Sequence, residues 1–429
     1  VSKFQIILTT VFAIFIVIGV ITFATSGGGD PAKAVGDVVI WGTVDEGIVR
    51  GAIKDLVERD ESFKNVRYEE KDENEFDLLL VEAIASGAGP DVFLLPQSEI
   101  LRKQNKVILI PYVNFSIRDF KDYFIEEGEL YLTDDGILAL PFIIDPLVMY
   151  WNRSLFASAG VASPPVVWDD FFVLSKKLTK KDVNKNILIS AVPFGEFANV
   201  ENAKEVLATL IMQSGNPIVF RDDDGVVKVS LRDVYNDQTT PAESALRFYT
   251  EFSDPVKETY TWNKAMPNSK IAFLSGDVAI YFGFASELAD LKTKNPNLNF
   301  DVSYLPQTEN LKNNVTFGEV QALAISKGCN NVVGAFNVIT NLIKSESLSY
   351  LSSQTNLPPV SRVLLMQGSA NPYQEIFYKS ALSAKGFLDP DQAETDLIFR
   401  DLVESVISGR RDLGQAVSWA DSELEELIK

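Results

Sequence analysis

The chain contains no histidine, and Cys329 is the only cysteine among its 429 residues. Without imidazole there is no Ser-His-Asp triad and no Cys-His nucleophile. Nor is there a cluster of thiolates or imidazoles to hold zinc. An internal disulfide is impossible, and Cys329, in Lys327-Gly328-Cys329-Asn330, reads as a turn residue. Basic residues are outnumbered: 39 Lys and Arg against 59 Asp and Glu give a net charge of −20. That balance speaks against nucleic acid as a partner, because phosphate binding needs clustered Lys and Arg. Long apolar runs are absent too, except at the N-terminus.

That single run extends from Phe4 to Phe23, and no charge occurs between Lys3 and Asp30. A helix of this length rises about 30 Å, the thickness of a bilayer's hydrocarbon core. Lys3 and the α-amino group precede it, which places the N-terminus in the cytoplasm and the rest of the chain outside. Residues 1–26 therefore read as an uncleaved, single-pass membrane anchor. The alternative is a signal segment cut after Ser26, where Ala24 and Ser26 supply the small residues, leaving the folded part secreted. Residues 27–36, opening Gly27-Gly28-Gly29-Asp30-Pro31, read as a flexible linker.

The remainder has an ordinary globular balance, 46% apolar and 23% charged. Its length exceeds what one core usually organises, so two domains are expected. Val38 to Trp41, Val66 to Glu70 and Pro90 to Leu95 read as strands, with helices at Ile48 to Arg59 and Glu75 to Ser86 between them. This β-α-β-α-β order predicts a parallel sheet. Thr133-Asp134-Asp135-Gly136 and Asp222-Asp223-Asp224-Gly225 read as hairpin turns. The second superficially has the look of a calcium loop, but no Glu completes the pattern. A helix is expected from Asn263 to Leu274, strands at Val278 to Phe282 and Phe300 to Leu305, and helices beyond Asn331.

Several blocks resemble, in order, the family 1 extracellular solute-binding proteins of ABC transporters, the maltose-binding-protein-like group. They include Val38-Val39-Ile40-Trp41-Gly42, Ala85-Ser86-Gly87-Ala88-Gly89-Pro90-Asp91-Val92-Phe93 and Ala139-Leu140-Pro141-Phe142 continuing to Phe156. Pro164-Pro165-Val166-Val167-Trp168-Asp169, with Val167 for the usual Thr, and Ser275 to Ile280 follow. Leu357-Pro358-Pro359-Val360-Ser361 and Ile398 to Arg410 complete the series. The resemblance covers almost everything after residue 37. One departure is the missing cysteine after the N-terminal run, where such proteins often carry a lipid.

The resemblance implies a periplasmic-binding-protein-like fold, two α/β lobes joined by a three-crossing hinge that closes on a ligand. The first crossing would fall at Asp145-Pro146, the second near Tyr304-Leu305-Pro306 and the third near Ser345 to Ser349. The N-lobe is then residues 37–145 plus 305–345, and the C-lobe 146–304 plus 346–429. Ligand would bind between the lobes, at strand ends. On the N-lobe side the implied positions are Trp41, Thr43, Asp45, Glu46, Gln97 and Ser98, with Asp145 at the crossing. On the other side they are Trp262, Gly283, Phe284 and Ser286, with Glu319 beyond. Sugars call for aromatic platforms ringed by carboxylates and amides. Trp41, Trp262 and Phe284 could be the platforms, while Asp45, Glu46, Gln97 and Glu319 take hydroxyls. Each also has a plainer role: Trp41 as core, Asp45 and Glu46 as favourable charges at a helix start.

The function implied is the substrate-binding subunit of an ABC importer, a monomer that captures a small polar solute and works with membrane permease subunits. No Lys or Arg stands at the implied positions, which favours a neutral sugar. No cofactor, metal or catalytic residue is expected. A clamp that signals to a membrane receptor kinase is the alternative, and a two-carboxylate glycosidase a remote one.

Overall fold

The computed structural model describes residues 35–234, 240–309 and 314–429. The expected anchor lies outside these residues. No helix among the described residues is long and apolar enough to cross a membrane. Of the expected linker, Val35 and Gly36 are described, and they belong to the folded body. The Val35 amide donates to Ser62, and the Asn331 side chain donates to the Val35 carbonyl.

Three buried apolar strands open the first lobe: β1 (Val38–Gly42), β2 (Val66–Glu70) and β3 (Val92–Pro96). β1 lies between the other two and is parallel to both. The connecting helices α1 (Glu46–Arg59) and α2 (Phe76–Ser86) bury Val49, Ile53 and Leu56, and Phe76 and Leu80, at helical spacing. Asp45 caps α1 by accepting from the Ile48 amide at 3.0 Å.

Two long strands then run through both lobes. β4 spans Leu140–Asn152 and β7 spans Thr316–Ser326. The sheet order is β5-β4-β7-β3-β1-β2, where β5 is Ile280–Phe284; β6 (Phe300–Ser303) also pairs with β4. β7 meets β3 through Gln321 to Ile325, whereas β4 meets β5 through Leu147 to Trp151. Each long strand thus gives one half to each lobe. Between the halves β4 and β7 pair with each other, Glu319 opposite Asp145 and Gly318 opposite Pro146. The register slips once, between Gln321 and Ala322, which leaves Phe142 as an extra residue of β4. Such a bulge bends and twists its strand, here beside the boundary.

β4 pairs with β7 at Asp145-Pro146, between its two halves. The expected second crossing near Tyr304-Leu305-Pro306 does not fall at those residues. Residues 305–308 remain in the second lobe, because Gln213 donates to the carbonyls of Pro306 and Val315 and accepts from Thr308. The chain changes lobes inside β7, at Gly318 to Val320. The third crossing also comes later than Ser345 to Ser349. Helix α5 (Ser345–Thr355) packs on α1, as does α4 (Val332–Leu342), and Ile125 donates to Val360. It is α6 (Pro372–Leu382) that packs on both β4 and β6. A boundary drawn at 345/346 would have exposed the apolar face that α5 buries with Leu348 and Leu351.

In the second lobe, α3 (Ala203–Gln213), α7 (Gln392–Ile407) and α8 (Leu413–Leu427) pack around Pro241–Thr250. Both Asp-Gly hairpins form, pairing Leu132–Thr133 with Gly136–Ile137 and Val219–Arg221 with Val227–Val229. Asp222 folds the second turn by accepting from the Asp224 and Val226 amides. The helix expected at Asn263 starts only at Ser269, with Asn268 as its cap. Asn263 to Pro267 form a loop that Asn199 holds through the Asn263 and Met266 carbonyls.

Candidate functional site

The long strands form the floor of a cleft between the lobes. In β7, side chains two residues apart share a face. Phe317, Glu319 and Gln321 accordingly line the cleft together. The first lobe contributes Thr43 after β1 and Gln97 and Ser98 after β3; the second contributes Glu205, Phe387 and Gln392. The space on the first-lobe side measures about 160 Å³, below the few hundred Å³ of typical ligand sites. Arg102 of the first lobe meets Asp391 of the second at 3.5 Å. The lobes stand nearly closed.

Gln97 is almost fully buried and fastens the floor to the first lobe. Its Nε2 donates to the Gly318 carbonyl at 2.6 Å, and its Oε1 accepts from the Val320 amide at 3.0 Å. It thus grips both neighbours of Glu319 at the crossing. On the other strand, Asp145 accepts from the Ser286 amide at 3.1 Å, tying the crossing to the end of β5. Loss of water pushes the Asp145 carboxyl up to about 7, although Ser286 favours its charge. The Glu319 carboxyl is also raised, first by the protein around it and then by Glu205 and Asp145. By surface area Glu319 is exposed. A side chain that touches water yet sits deep among protein atoms is on the floor of a cleft, and the upward direction follows.

One wall is aromatic. Phe284 meets Phe317 edge-on at 6.4 Å between ring centres, and Phe317 meets Phe387 in the same way. Phe317 and Phe387 are nearly buried, whereas Phe284 keeps an accessible part. Glu287 positions this end of β5, accepting from the Phe284 amide at 2.9 Å and the Tyr281 hydroxyl at 2.7 Å.

The cations along the cleft are committed to carboxylates. Lys103 pairs with Asp77 at 3.0 Å and Glu99 at 3.5 Å. Lys204 pairs with Asp396 at 2.6 Å and Asp389 at 3.3 Å. Burial alone would lower the Lys204 ammonium, but Asp389, Glu205 and Asp396 outweigh it and hold it charged. Glu205 and Glu319 form no ion pair among the described residues. The cleft therefore offers carboxyls, amides and a hydroxyl against an apolar wall, with no free cation among the described residues. Gln321 Oε1 is buried without a hydrogen-bond partner and lines the same space.

Of the expected residues, Thr43, Gln97, Ser98 and Glu319 come together in this cleft, with Asp145 and Ser286 at its hinge. Gly283 lies within β5, opposite Val148. Others sit elsewhere. Trp262 is fully buried inside the second lobe, its Nε1 donating to Asn199 at 3.1 Å, so it offers no platform. The loop that Asn199 ties down draws it into the core. Asp45 serves as the α1 cap, and Glu46 pairs with Arg50 at 2.9 Å. Trp41 carries the Lys71 ammonium 4.2 Å above its ring, and its buried Nε1 has no partner. The reading from sequence missed Phe317, Gln321, Phe387, Gln392, Lys204 and Glu205. The first two could have been found by stepping two residues either way from Glu319 along its strand.

A larger cavity, about 570 Å³, opens within the second lobe between Val166, Tyr304, Asn314 and Lys379. None of the raised carboxyls lines it. Perturbed carboxyls converging between two lobes make the cleft the candidate functional site.

Two α/β lobes, strands shared across a hinge and a polar cleft with an aromatic wall define a solute-binding clamp. The chain belongs to the bacterial extracellular solute-binding protein family, whose model matches residues 50–347. No curated protein matches it by sequence. Similar solved structures share its fold. A cyclo/maltodextrin-binding protein complexed with maltotetraose superposes with a TM-score of 0.74 at 17% identity, covering 94% of this chain and 98% of that one. The cyclic alpha-maltosyl-1,6-maltose binding protein from Arthrobacter globiformis gives 0.74 at 14% identity, covering 92% and 99%. An ABC transporter solute-binding protein from Thermotoga lettingae bound with alpha-D-tagatose gives 0.65 at 16%, covering 92% and 100%. The family and these neighbours are binding proteins, not enzymes.

Proposed function

We propose that this protein captures a small neutral carbohydrate between its lobes and hands it to the permease subunits of an ABC importer. The observation that carries the reading is the makeup of the cleft. The Phe317 and Phe387 wall suits the apolar face of a sugar ring. Gln97, Ser98, Glu319, Gln321 and Gln392 stand ready for the hydroxyls, and both nearby lysines are neutralised by carboxylates. The carbohydrates bound by the solved neighbours support the same class. Entry requires the lobes to part, because the space between them is smaller than a disaccharide needs. Release of the Arg102–Asp391 contact is the first step of that opening. The folded part works outside the cytoplasm, as a monomer held by the N-terminal run of residues 1–26.

Thermal unfolding of the protein against neutral sugars, polyols, sugar acids and peptides tests this. A ligand at a hundredfold excess over its Kd stabilises the folded state by about 2.7 kcal/mol. A neutral sugar that raises the midpoint supports the reading. A response confined to sugar acids or peptides overturns it.

A further inference from the structure

Beside the crossings, residues of both lobes line a further, open cavity of about 280 Å³. Glu127, Leu130 and Leu132 line it from the first lobe, and Val219, Phe220 and Arg221 from the second. This volume is near the lower end for small-molecule sites. The other charged groups at its edge are paired: Glu126 with Lys385 at 2.9 Å, and Glu129 with Lys121 at 2.7 Å.

Arg221 and Glu127 are different. The Arg221 Nη1 donates to the Gly225 carbonyl at 3.2 Å, but its Nε and Nη2 are buried without partners. Those two N–H groups lie on the same edge of the guanidinium and point in parallel. That edge matches the two oxygens of a carboxylate. Glu127 is 2% exposed, and both its oxygens lack a hydrogen-bond partner. The Gln97 amide beside it gives one N–H to the Gly318 carbonyl, and its proximity favours the charged form of Glu127 without a direct hydrogen bond. Burial holds the Glu127 carboxyl well above the usual carboxylate range, which makes it a donor as well as an acceptor. Buried polar groups normally find partners, so two unpartnered groups on one cavity point to a ligand.

We propose that this cavity is a second binding site, for a small hydroxycarboxylate whose carboxylate lies against Arg221 Nε and Nη2 and whose hydroxyl meets Glu127. Such a molecule joins the two lobes beside the hinge. It also reaches the cleft, because a Cβ at Gly386 would meet both Glu127 Oε1 at 2.4 Å and Gln97 Nε2 at 2.6 Å. Glu127 and Gln97 are thus neighbours, and Gln97 holds the floor of the cleft. By linkage, an occupant here shifts the equilibrium between open and closed lobes.

Calorimetric titration of the intact chain with glycerate, acetate and glycerol tests the proposal. Glycerate is expected to bind at millimolar concentration or below, acetate more weakly, and glycerol not at all. Arg221→Gln should weaken glycerate binding by about tenfold or more, the scale of a lost bidentate charge-assisted contact. Glu127→Leu should bring glycerate down to the affinity of acetate and leave acetate unchanged. Should Arg221→Gln fail to fold, Arg221→Lys keeps the charge and removes the parallel donor edge. Absence of glycerate binding to the native chain, or binding indifferent to the Arg221 variant that folds, overturns the proposal. The site does not depend on the carbohydrate reading, and a failed sugar titration leaves this outcome unaffected.

Discussion

Asp145 and Glu319 stand opposite each other on the two strands that cross between the lobes. Two carboxyls on adjacent strands repel when both are charged. Both also sit deep among protein atoms, Glu319 at the edge of water, and both are held above the ordinary range. The hinge therefore contains a pair that prefers to be neutral, at the position where a ligand would touch the floor of the cleft.

A pH dependence follows, and its sign is fixed. An aspartate in the unfolded chain titrates near 4, at about 3.9, and Asp145 in the folded chain near 7. Its contribution to stability is fully present below the first value and is lost as pH rises through the second. Asp145→Asn should therefore gain on the native protein as pH rises from 5 to 8 on a scale of about 1–2 kcal/mol, reduced for solvent screening. Melting curves of both proteins across that range check this. A constant difference would mean that Asp145 titrates normally.

Gln97 fixes the floor through two buried bonds, to Gly318 and Val320. Gln97→Ala leaves a buried carbonyl and a buried amide without partners, a loss of about 2–4 kcal/mol in denaturant unfolding. Ligand affinity should fall with it.

Gly318 passes through the crossing with neighbours on two sides. An added Cβ would lie 2.8 Å from Ala384 Cβ and 2.9 Å from Ile144 Cδ1. Gly318→Ala should destabilise by about 1–3 kcal/mol, the usual effect of overpacking. Chemical denaturation measures it.

The Arg102–Asp391 contact joins the lobes at the surface, where such pairs contribute about 0–1 kcal/mol. Arg102→Gln should scarcely change the melting midpoint, yet should speed ligand release in stopped-flow measurements. A large stability loss with unchanged release would assign Arg102 to the first lobe alone, through Asp77 and Glu99.

Much of this architecture is legible in the sequence. The alternation of apolar strands with helical spacing gives the first lobe, and the Asp-Gly turns give both hairpins. Asp145-Pro146 suggests a first crossing because proline restricts the residue before it to extended backbone. The other two crossings leave no such mark. β7 changes lobes in mid-strand, where nothing in Gly318-Glu319-Val320 interrupts the β pattern. The third crossing was obscured because a helix's apolar face shows that it packs, not on which lobe. Site residues divide in the same way. Gln97 and Ser98 follow a strand end and could be placed by position. Trp262 could not, since an isolated aromatic in a loop gives no sign of whether it faces a cleft or the core. Phe387, Gln392 and Glu205 come from distant segments that only the closed lobes bring together.

The most direct test of the central claim is a calorimetric titration of the protein with neutral mono- and oligosaccharides and their phosphorylated or uronic counterparts. The account expects one molecule of a neutral sugar to bind per chain, with charged counterparts weaker by about tenfold or more and Phe387→Ala losing most of the affinity. A charged counterpart that binds more tightly than its neutral parent, or binding indifferent to Phe387, would contradict it.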